Sequence, residues 1–310
     1  MRRGGVAERR RGGVAELRRG GEAERRRTAT AGGATVRIWD CHCHLRGDET
    51  GGYVLEQLDK AGIERVNLFS QYPGRGQTPG EAVPREEVRR VIEHVAEVQR
   101  ADPGRIYGLI FANPRAEGMV EEIERGIVDL GLRGVKLIPD HWAPTDELVF
   151  PIYQKLQELG KPIQFHSGIL YGFGDSSRFC RPVLYEGLIN FPGLRFSLAH
   201  IGWPWVDECI AVFGRFRAAV GYQTGDSQMW IDTCRGTPDA WREEALRKAV
   251  PFCGVERLMF GVDGTPSIMP EYTTEHLRKD HDLLRNVLGL SQEQIETFFW
   301  GACEAFWGEG

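Results

Sequence analysis

A short segment near the start of the chain carries residues that can bind a metal ion, Asp40-Cys41-His42-Cys43-His44. It ends a strand-like run, and side chains alternate between the two faces of a strand. The alternation predicts that Asp40, His42 and His44 share one face. Cys41 and Cys43 would face the helices. Two neutral imidazoles at i and i+2 can converge on one cation, although a polar strand end with two hydrogen-bonded histidines is the structural alternative.

Four later strand-like runs also end in residues that can bind a metal or move a proton. These residues are Lys136, His166, His200 and Asp263. Each residue taken singly is more often structural than functional. However, four of the eight histidines fall at predicted strand ends, and the carboxyl ends of parallel strands meet at one face of a barrel. We therefore expect one shared site.

The elements that would position these residues follow a repeated strand–helix pattern, which is typical of a parallel α/β fold. Predicted strands are 35–42, 65–69, 105–111, 134–138, 162–166, 195–200, 229–233 and 257–262. Predicted helices are 53–61, 85–101, 116–130, 148–159, 181–190, 205–219, 239–249 and 273–288. Eight of each predict a (β/α)₈ TIM barrel in a single domain, 35–310. A ninth helix within 291–307 is expected to pack on its outside.

The first 34 residues differ in composition from the rest of the chain. Residues 2–24 repeat an Arg-Arg-Gly-Gly motif every eight residues, and the glycine pairs interrupt any helix. We expect 1–34 to be a disordered low-complexity leader. An arginine-rich RNA-binding tail is the alternative, but the interspersed glutamates weigh against it.

Composition narrows the class of protein. The chain has 310 residues, of which 41% are hydrophobic and 27% charged, as in globular proteins. Residues 1–27 hold ten arginines and four glutamates, so they carry +6 and the remainder of the chain carries −11. An acidic body argues against a nucleic-acid partner, and no apolar run is long enough for a membrane span. Seven scattered cysteines favour reduced thiols and a cytoplasmic location.

Several motifs together resemble the amidohydrolase superfamily, and most closely its "amidohydrolase 2" branch of hydrolases, lactonases and non-oxidative decarboxylases. They are Asp40-x-His42-x-His44, Gly134-Val135-Lys136-Leu137, His166-Ser167-Gly168, Leu198-Ala199-His200-Ile201-Gly202 and Phe260-Gly261-Val262-Asp263. The resemblance covers nearly all of 36–308. In the last motif the family usually has Ser before the Asp, where this chain has Val262.

The resemblance implies that His42, His44, His166 and Asp263 hold a divalent cation. Three imidazoles and a carboxylate form a donor set that suits Zn²⁺, with a water in the remaining position. Zinc lowers the pKa of bound water towards about 7, and Asp263 beside that water can accept its proton. His200 would then polarise the scissile carbonyl. A turn or helix-capping role is the alternative for Asp263.

Lys136 leaves the number of metal ions open. In relatives that resemble dihydroorotase, a Lys in a similar position is carboxylated and bridges two ions, and His200 would then bind the second. Many members of the closer branch hold one ion, and their Lys pairs with an acid or contacts substrate. One ion and two ions are therefore both possible.

Loops after the fourth and fifth predicted strands carry candidate substrate contacts. They are His141, Trp142, Tyr171 and Arg178. Aromatic walls with one guanidinium suggest a small aromatic or carboxylate-bearing substrate, because Arg pairs with a carboxylate in a bidentate manner. Surface positions are the alternative for Arg178 and His141.

These observations predict a metal-dependent hydrolase acting on a small amide, ester or lactone. The alternative is a non-oxidative decarboxylase or hydratase of an aromatic or unsaturated acid on the same metal site. A catalytically silent binding module is a third reading, which the retention of every metal-site position opposes. The expected partner is a small-molecule substrate, and a homo-oligomer stays open.

Overall fold

The computed structural model describes residues 29–31, 34–74, 82–171, 176–221 and 227–308. It begins with an antiparallel hairpin of β1 (Ala29–Ala31) and β2 (Ala34–Val36). The hairpin lies on both sides of the expected boundary at 34/35. The predicted disorder of the earlier leader concerns residues outside the described ranges, so the division into 1–34 and 35–310 stays a prediction.

Eight parallel strands form the ring that the alternating pattern predicts. They are β3 (Trp39–His44), β4 (Arg65–Phe69), β5 (Ile106–Ala112), β6 (Gly134–Leu137), β7 (Ile163–Phe165), β8 (Phe196–Leu198), β9 (Met229–Asp232) and β10 (Leu258–Met259). Each strand pairs with the next along the chain. Main-chain hydrogen bonds from Cys41 N to Phe260 O and from His44 N to Gly264 O, both 2.9 Å, join the last strand to the first. The predicted TIM barrel is confirmed.

Helices surround the barrel. They are α1 (Gly51–Ala61), α2 (Arg85–Arg100), α3 (Met119–Val128), α4 (Phe150–Glu158), α5 (Ser176–Phe179), α6 (Val206–Val220), α7 (Asp239–Cys253), α8 (Met269–Asp282), α9 (Gln292–Glu296) and α10 (Ala302–Trp307). Apolar residues at helical spacing make the helices pack on the barrel. In α2, Val88, Val91, Ile92 and Val95 recur every three or four residues and form one buried face. Among the residues that the structure describes, no helix combines the length and apolar character that a membrane crossing requires.

Among the predicted elements that differ from the structure, two have a clear local reason. The strand expected over 35–42 is divided into β2 and β3, because the Ile38 carbonyl accepts hydrogen bonds from Glu64 N and Arg65 N and the chain turns into the barrel there. The helix expected over 181–190 is a 3₁₀ helix, Pro182–Asn190. Gly187 in its middle disfavours an α-helix.

The C-terminal segment covers the end of the barrel opposite the strand carboxyl ends. The Trp300 ring lies 5.2 Å from that of Trp39, and the Trp307 indole donates to Asn67 Oδ1 at 3.2 Å. Trp39 and Trp300 belong to a buried group that we call the lower cluster, and Trp307 packs against it. The members of the lower cluster are Trp39, Cys41, Tyr107, Trp230, Met259, Trp300, Ala302, Cys303 and Phe306. The segment therefore closes the bottom of the barrel. The sequence had predicted only a helix packed on the outside.

A buried ion pair holds the chain just after β9. Arg242 on α7 donates to both carboxylate oxygens of Asp280 at 2.5 Å and to the Thr233 carbonyl at 2.5 Å. Both partners are buried, so loss of one leaves an uncompensated charge. We expect Arg242→Ala to lower the free energy of unfolding by about 3–5 kcal/mol in urea denaturation.

The matched control lies on the same helix. Arg247 pairs with Glu243 at 2.9 Å on the exposed face, so Arg247→Ala should change the free energy of unfolding by only about 0.5 kcal/mol. Equal effects of the two substitutions would show that the Arg242–Asp280 pair does not hold the segment after β9.

Candidate active site

The two histidines of β3 lie at the carboxyl end of the barrel, with His42 Nε2 3.1 Å from His44 Nε2. The two rings converge as their i, i+2 spacing predicts, although the pairing of β3 with β4 shifts register between Asp40 and Cys43. Asp40 Oδ1 accepts hydrogen bonds from His42 N at 2.9 Å and Val262 N at 3.1 Å. Cys41 consequently packs in the lower cluster, whereas Cys43 packs in the main core between strands and helices. The prediction that the two cysteines share one face is wrong.

Asp263 follows β10 and meets both histidines. Its Oδ1 lies 3.3 Å from His42 Nε2 and 3.4 Å from His44 Nε2. Its backbone has a left-handed φ of 56°, and its N–H donates to the His42 carbonyl at 3.0 Å. Burial alone would raise the pKa of this carboxyl, but attraction to His42, a hydrogen bond from His44 and attraction to His200 hold it well below its ordinary value. Asp263 is therefore an anion that faces two imidazole nitrogens.

The other nitrogen of His42 is held by Asp232 at the end of β9, at 2.5 Å between Nδ1 and Oδ2. Burial would raise the pKa of Asp232, but the interactions with His42 lower it to about 2. An anionic carboxylate accepts the Nδ1 proton, and this leaves a lone pair on His42 Nε2. Burial and the nearby Lys136 lower the pKa of His42 to about 4, so the ring is neutral at pH 7 and fit to bind a cation.

Lys136 on β6 is fully buried beside this group. Its Nζ lies 3.4 Å from His42 Nε2 and 4.7 Å from the centre of the Phe69 ring. Burial lowers the pKa of the amine below its ordinary value. A lysine in this position can contact substrate or carry a carboxyl group, so its placement is compatible with one ion or two.

His166 and His200 complete the arrangement from β7 and β8. His200 Nε2 lies 3.1 Å from His166 Nδ1 and 3.9 Å from Asp263 Oδ2. Burial lowers the pKa of both rings, so both are neutral near pH 7. His166 Nε2 is buried and has no hydrogen-bond partner among the described residues. Buried polar atoms are rarely left without a partner, so this nitrogen is suited to a ligand.

The donors fit a divalent metal ion. Imidazole nitrogens and a carboxylate converge here, and one ligand atom from each of His42, His200, Cys234 and Asp263 lies within 4.8 Å of the others. A cation would relieve the close approach of these atoms. The structure thus places a possible divalent metal site at the mouth of the barrel.

An apolar surface borders the histidines. It is formed by what we call the upper cluster: Phe69, Leu109, Phe111, Ile138 and Cys180. The His44 ring lies 5.0 Å from Phe69 and 6.2 Å from Phe111. Tyr72 and Leu170 pack against this cluster and are only partly buried, so they extend it towards solvent.

The four predicted substrate contacts have different surroundings. Trp142 is 1% exposed and packs within the main core, so its ring supports the fold. Tyr171 is 85% exposed, and Arg178 is exposed with its guanidinium 5.4 Å from the Phe179 ring. His141 is partly exposed, with a φ of 56° and Nδ1 2.6 Å from Asp140 Oδ1. None of these contacts is with the metal-site group.

Two residues of the site were missed by sequence reasoning, Asp232 and Cys234. Cys234 Sγ lies 3.1 Å from His42 Nδ1 and 3.0 Å from His200 Nδ1. Asp232 ends a strand, which is the same signal that identified Lys136 and Asp263. Cys234 carries no comparable signal, because a lone cysteine after a strand is usually a small buried apolar residue.

Comparisons with known proteins agree with this architecture. A 5-carboxyvanillate decarboxylase from Novosphingobium aromaticivorans, crystallised with manganese, superposes with a TM-score of 0.64 at 16% identity, over 88% of this chain and 96% of that one. A 2,6-dihydroxybenzoate decarboxylase from Rhizobium superposes with a TM-score of 0.61 at 14% identity, over 88% and 98%. At such identities the likeness shows a shared fold.

A curated relative is the 2-keto-4-carboxy-3-hexenedioate hydratase of Sphingobium sp. (strain NBRC 103272 / SYK-6), which is 23% identical over 212 residues. That match spans 59% of this chain and 58% of the relative's length. The amidohydrolase family model matches residues 39–308, which include every residue of the site described above. The resemblance noted in the motifs is confirmed: this chain belongs to the amidohydrolase superfamily, in its amidohydrolase 2 branch, and is an enzyme of that superfamily.

Proposed function

We propose that this enzyme is a metal-dependent lyase that decarboxylates or hydrates a small aromatic or unsaturated carboxylic acid. The observation that carries the proposal is an apolar aromatic surface that contacts the His44 ring, next to a proton acceptor and a proton donor. The acceptor Asp263 lies 3.4 Å from His44 and 3.9 Å from the donor His200. Two similar folds are decarboxylases of aromatic acids, and the curated relative is a hydratase of an unsaturated acid. They support the lyase, which was the alternative to hydrolysis.

We further propose that His42, His44, His166 and Asp263 hold one divalent ion. The nitrogen and oxygen donors suit zinc, and manganese is the ion in the 5-carboxyvanillate decarboxylase. When bound, the ion would supply positive charge that orients and polarises the oxygens of the substrate. His42 is prepared for this role by Asp232, which keeps its proton on Nδ1.

The apolar surface would hold the flat part of the substrate. Phe111 and Tyr72 lie with their rings 4.9 Å apart, and Leu170 belongs to the same surface. A planar ring or conjugated chain can stack there while its carboxylate faces the histidines. We keep His141, Tyr171 and Arg178 as proposed contacts at the rim, where they can close over a bound acid.

Asp263 and His200 would then move the proton. In decarboxylation the bond between the substrate carbon and its carboxylate breaks, CO₂ leaves, and the electron pair left on carbon takes a proton. In hydration a proton and a hydroxide from water add across the double bond. Anionic Asp263 accepts a proton from water or from a substrate hydroxyl and passes it to the substrate carbon, and neutral His200 stabilises negative charge on a substrate oxygen.

Hydrolysis is the second candidate, and Lys136 is the observation that favours it. Its buried amine lies 3.4 Å from His42 Nε2, where a carboxylated lysine could bridge two ions. In that case His200 would be a ligand, and metal analysis would find two ions per chain instead of one.

A substrate screen distinguishes the two candidates. Purified enzyme is incubated with 2,6-dihydroxybenzoate, 5-carboxyvanillate, unsaturated dicarboxylic acids, lactones and esters, and the products are identified by NMR. We expect CO₂ release or hydration that disappears after chelation and returns with Mn²⁺ or Zn²⁺. Metal-dependent turnover of lactones or esters, with no lyase activity, would contradict the proposal and favour hydrolysis.

A further inference from the structure

His200 has a backbone conformation that few L-residues adopt. Its φ is 62°, and that of Ile201 is 51°. This left-handed region is sterically unfavourable for L-residues, and a β-branched residue there is an outlier. Specific contacts compensate: the His200 carbonyl accepts hydrogen bonds from Thr237 Oγ1 at 2.5 Å and from Trp203 N at 3.0 Å. The strained turn aims the ring at Asp263.

The loop that follows β9 contacts Nδ1 of the His200 ring, the nitrogen that faces away from Asp263. Gly236 N donates a hydrogen bond to His200 Nδ1 at 3.1 Å, and Cys234 Sγ lies 3.0 Å from the same nitrogen. A backbone N–H can only donate, so Nδ1 must offer its lone pair. A neutral imidazole has one proton, which must then be on Nε2, the nitrogen that faces His166 and Asp263.

Gly236 is also sterically required. A Cβ atom at this position would lie 2.2 Å from His200 Cγ and Nδ1. Any side chain would therefore displace the imidazole or push the loop away. The absence of a side chain brings the amide close enough to reach Nδ1.

We infer that residues 234–237 form a positioning loop that keeps His200 as a hydrogen-bond donor at Nε2. The inference rests on the proposed function, because the donor would face a substrate oxygen. It also bears on the number of ions. A ring with its proton on Nε2 cannot offer that nitrogen to a second metal, so His200 would act on substrate beside a single ion.

A glycine substitution and a spectroscopic measurement test the positioning loop. In ¹⁵N-histidine NMR of the protein as purified, His200 should show an unprotonated Nδ1 and a protonated Nε2, with its signals assigned by their loss in His200→Gln. Gly236→Ala should shift these signals and lower kcat by about 10²-fold, since a displacement of about 1 Å in a catalytic group has that effect. KM and metal content should change little.

The control Gly52→Ala adds a methyl where nothing lies within 4 Å. It should leave the NMR signals, kcat, KM and metal content unaltered.

Thr237 provides an independent test if Gly236→Ala does not fold. Thr237→Val removes the hydroxyl that holds the His200 carbonyl and should lower kcat, whereas Thr237→Ser should restore it. A proton on Nδ1 of His200 in the purified enzyme, or full kcat in both Gly236→Ala and Thr237→Val, would overturn the inference. Lack of lyase activity in the unmodified enzyme would instead reject the proposed function, and the NMR result would still decide the tautomer.

Discussion

Asp263→Asn is expected to lower kcat by about 10²–10⁴-fold while the enzyme keeps its fold and most of its metal. Asparagine has the size of aspartate, and both tolerate the left-handed backbone found at this position, with φ of 56°. The amide can still offer an oxygen to a metal ion, but it cannot accept and return a proton. The loss therefore separates proton transfer from metal binding.

Steady-state kinetics and metal analysis of the same preparations check this result. The matched control is Asp129→Asn, which makes the same chemical change at an exposed position after α3 and should leave kcat unchanged. Near-normal kcat in Asp263→Asn would remove Asp263 from proton transfer. A complete loss of metal would instead indicate that its main contribution is as a ligand.

His42→Ala is expected to bring metal content from about one ion per chain close to zero and turnover down to background. His42 uses both ring nitrogens in the site, since its Nε2 lies near His44, Asp263 and Lys136 and its Nδ1 near Asp232. Its removal also leaves the buried Asp232 carboxylate without its ring partner. We therefore expect a loss of about 1–3 kcal/mol in the free energy of unfolding.

Metal analysis by mass spectrometry and urea denaturation check the two parts separately. His94→Ala is a suitable control, because His94 lies on α2 and contacts only the Glu49 carbonyl among the hydrogen bonds described, at 2.9 Å. It should retain metal and turnover. Unchanged metal content in His42→Ala would reject the assignment of His42 as a ligand, whatever happens to stability.

Much of the site was predictable because the fold imposes a simple rule. Parallel strands in a barrel bring their carboxyl ends to one face, so residues as far apart as His42 and Asp263 could be assigned to one site from their positions after strand-like runs. The same rule would have found Asp232. Asp232 lies outside the motifs that carry the family resemblance, so only its place at a strand end could have indicated it.

Other features depend on geometry that a linear pattern does not contain. The register shift after Asp40 moves Cys41 into the lower cluster. The Asp40 carboxylate is held there by a hydrogen bond from Val262 N, which is more than two hundred positions away in the chain. The left-handed turn at His200 likewise depends on Thr237 and Gly236 from another loop. Long-range contacts of this kind override local alternation.

Loops were the least predictable part. Trp142 and Tyr171 were both expected at the substrate, yet one is in the core and the other is almost fully exposed. Loop conformation is determined by packing that sequence spacing does not reveal. Hydrolysis and lyase chemistry could not be distinguished from the sequence for the same reason. Both reactions use the same metal ligands, and the groups that distinguish them lie on loops.

The central claim is that His42, His44 and Asp263 share one metal ion at the mouth of the barrel. Anomalous X-ray scattering from crystals of the metal-loaded enzyme, recorded at the zinc and manganese absorption edges, tests it most directly. We predict one peak bonded to Nε2 of His42 and His44 and to a carboxylate oxygen of Asp263. A peak between Cys234 and Nδ1 of His200, or no peak within bonding distance of the two β3 histidines, would contradict the account.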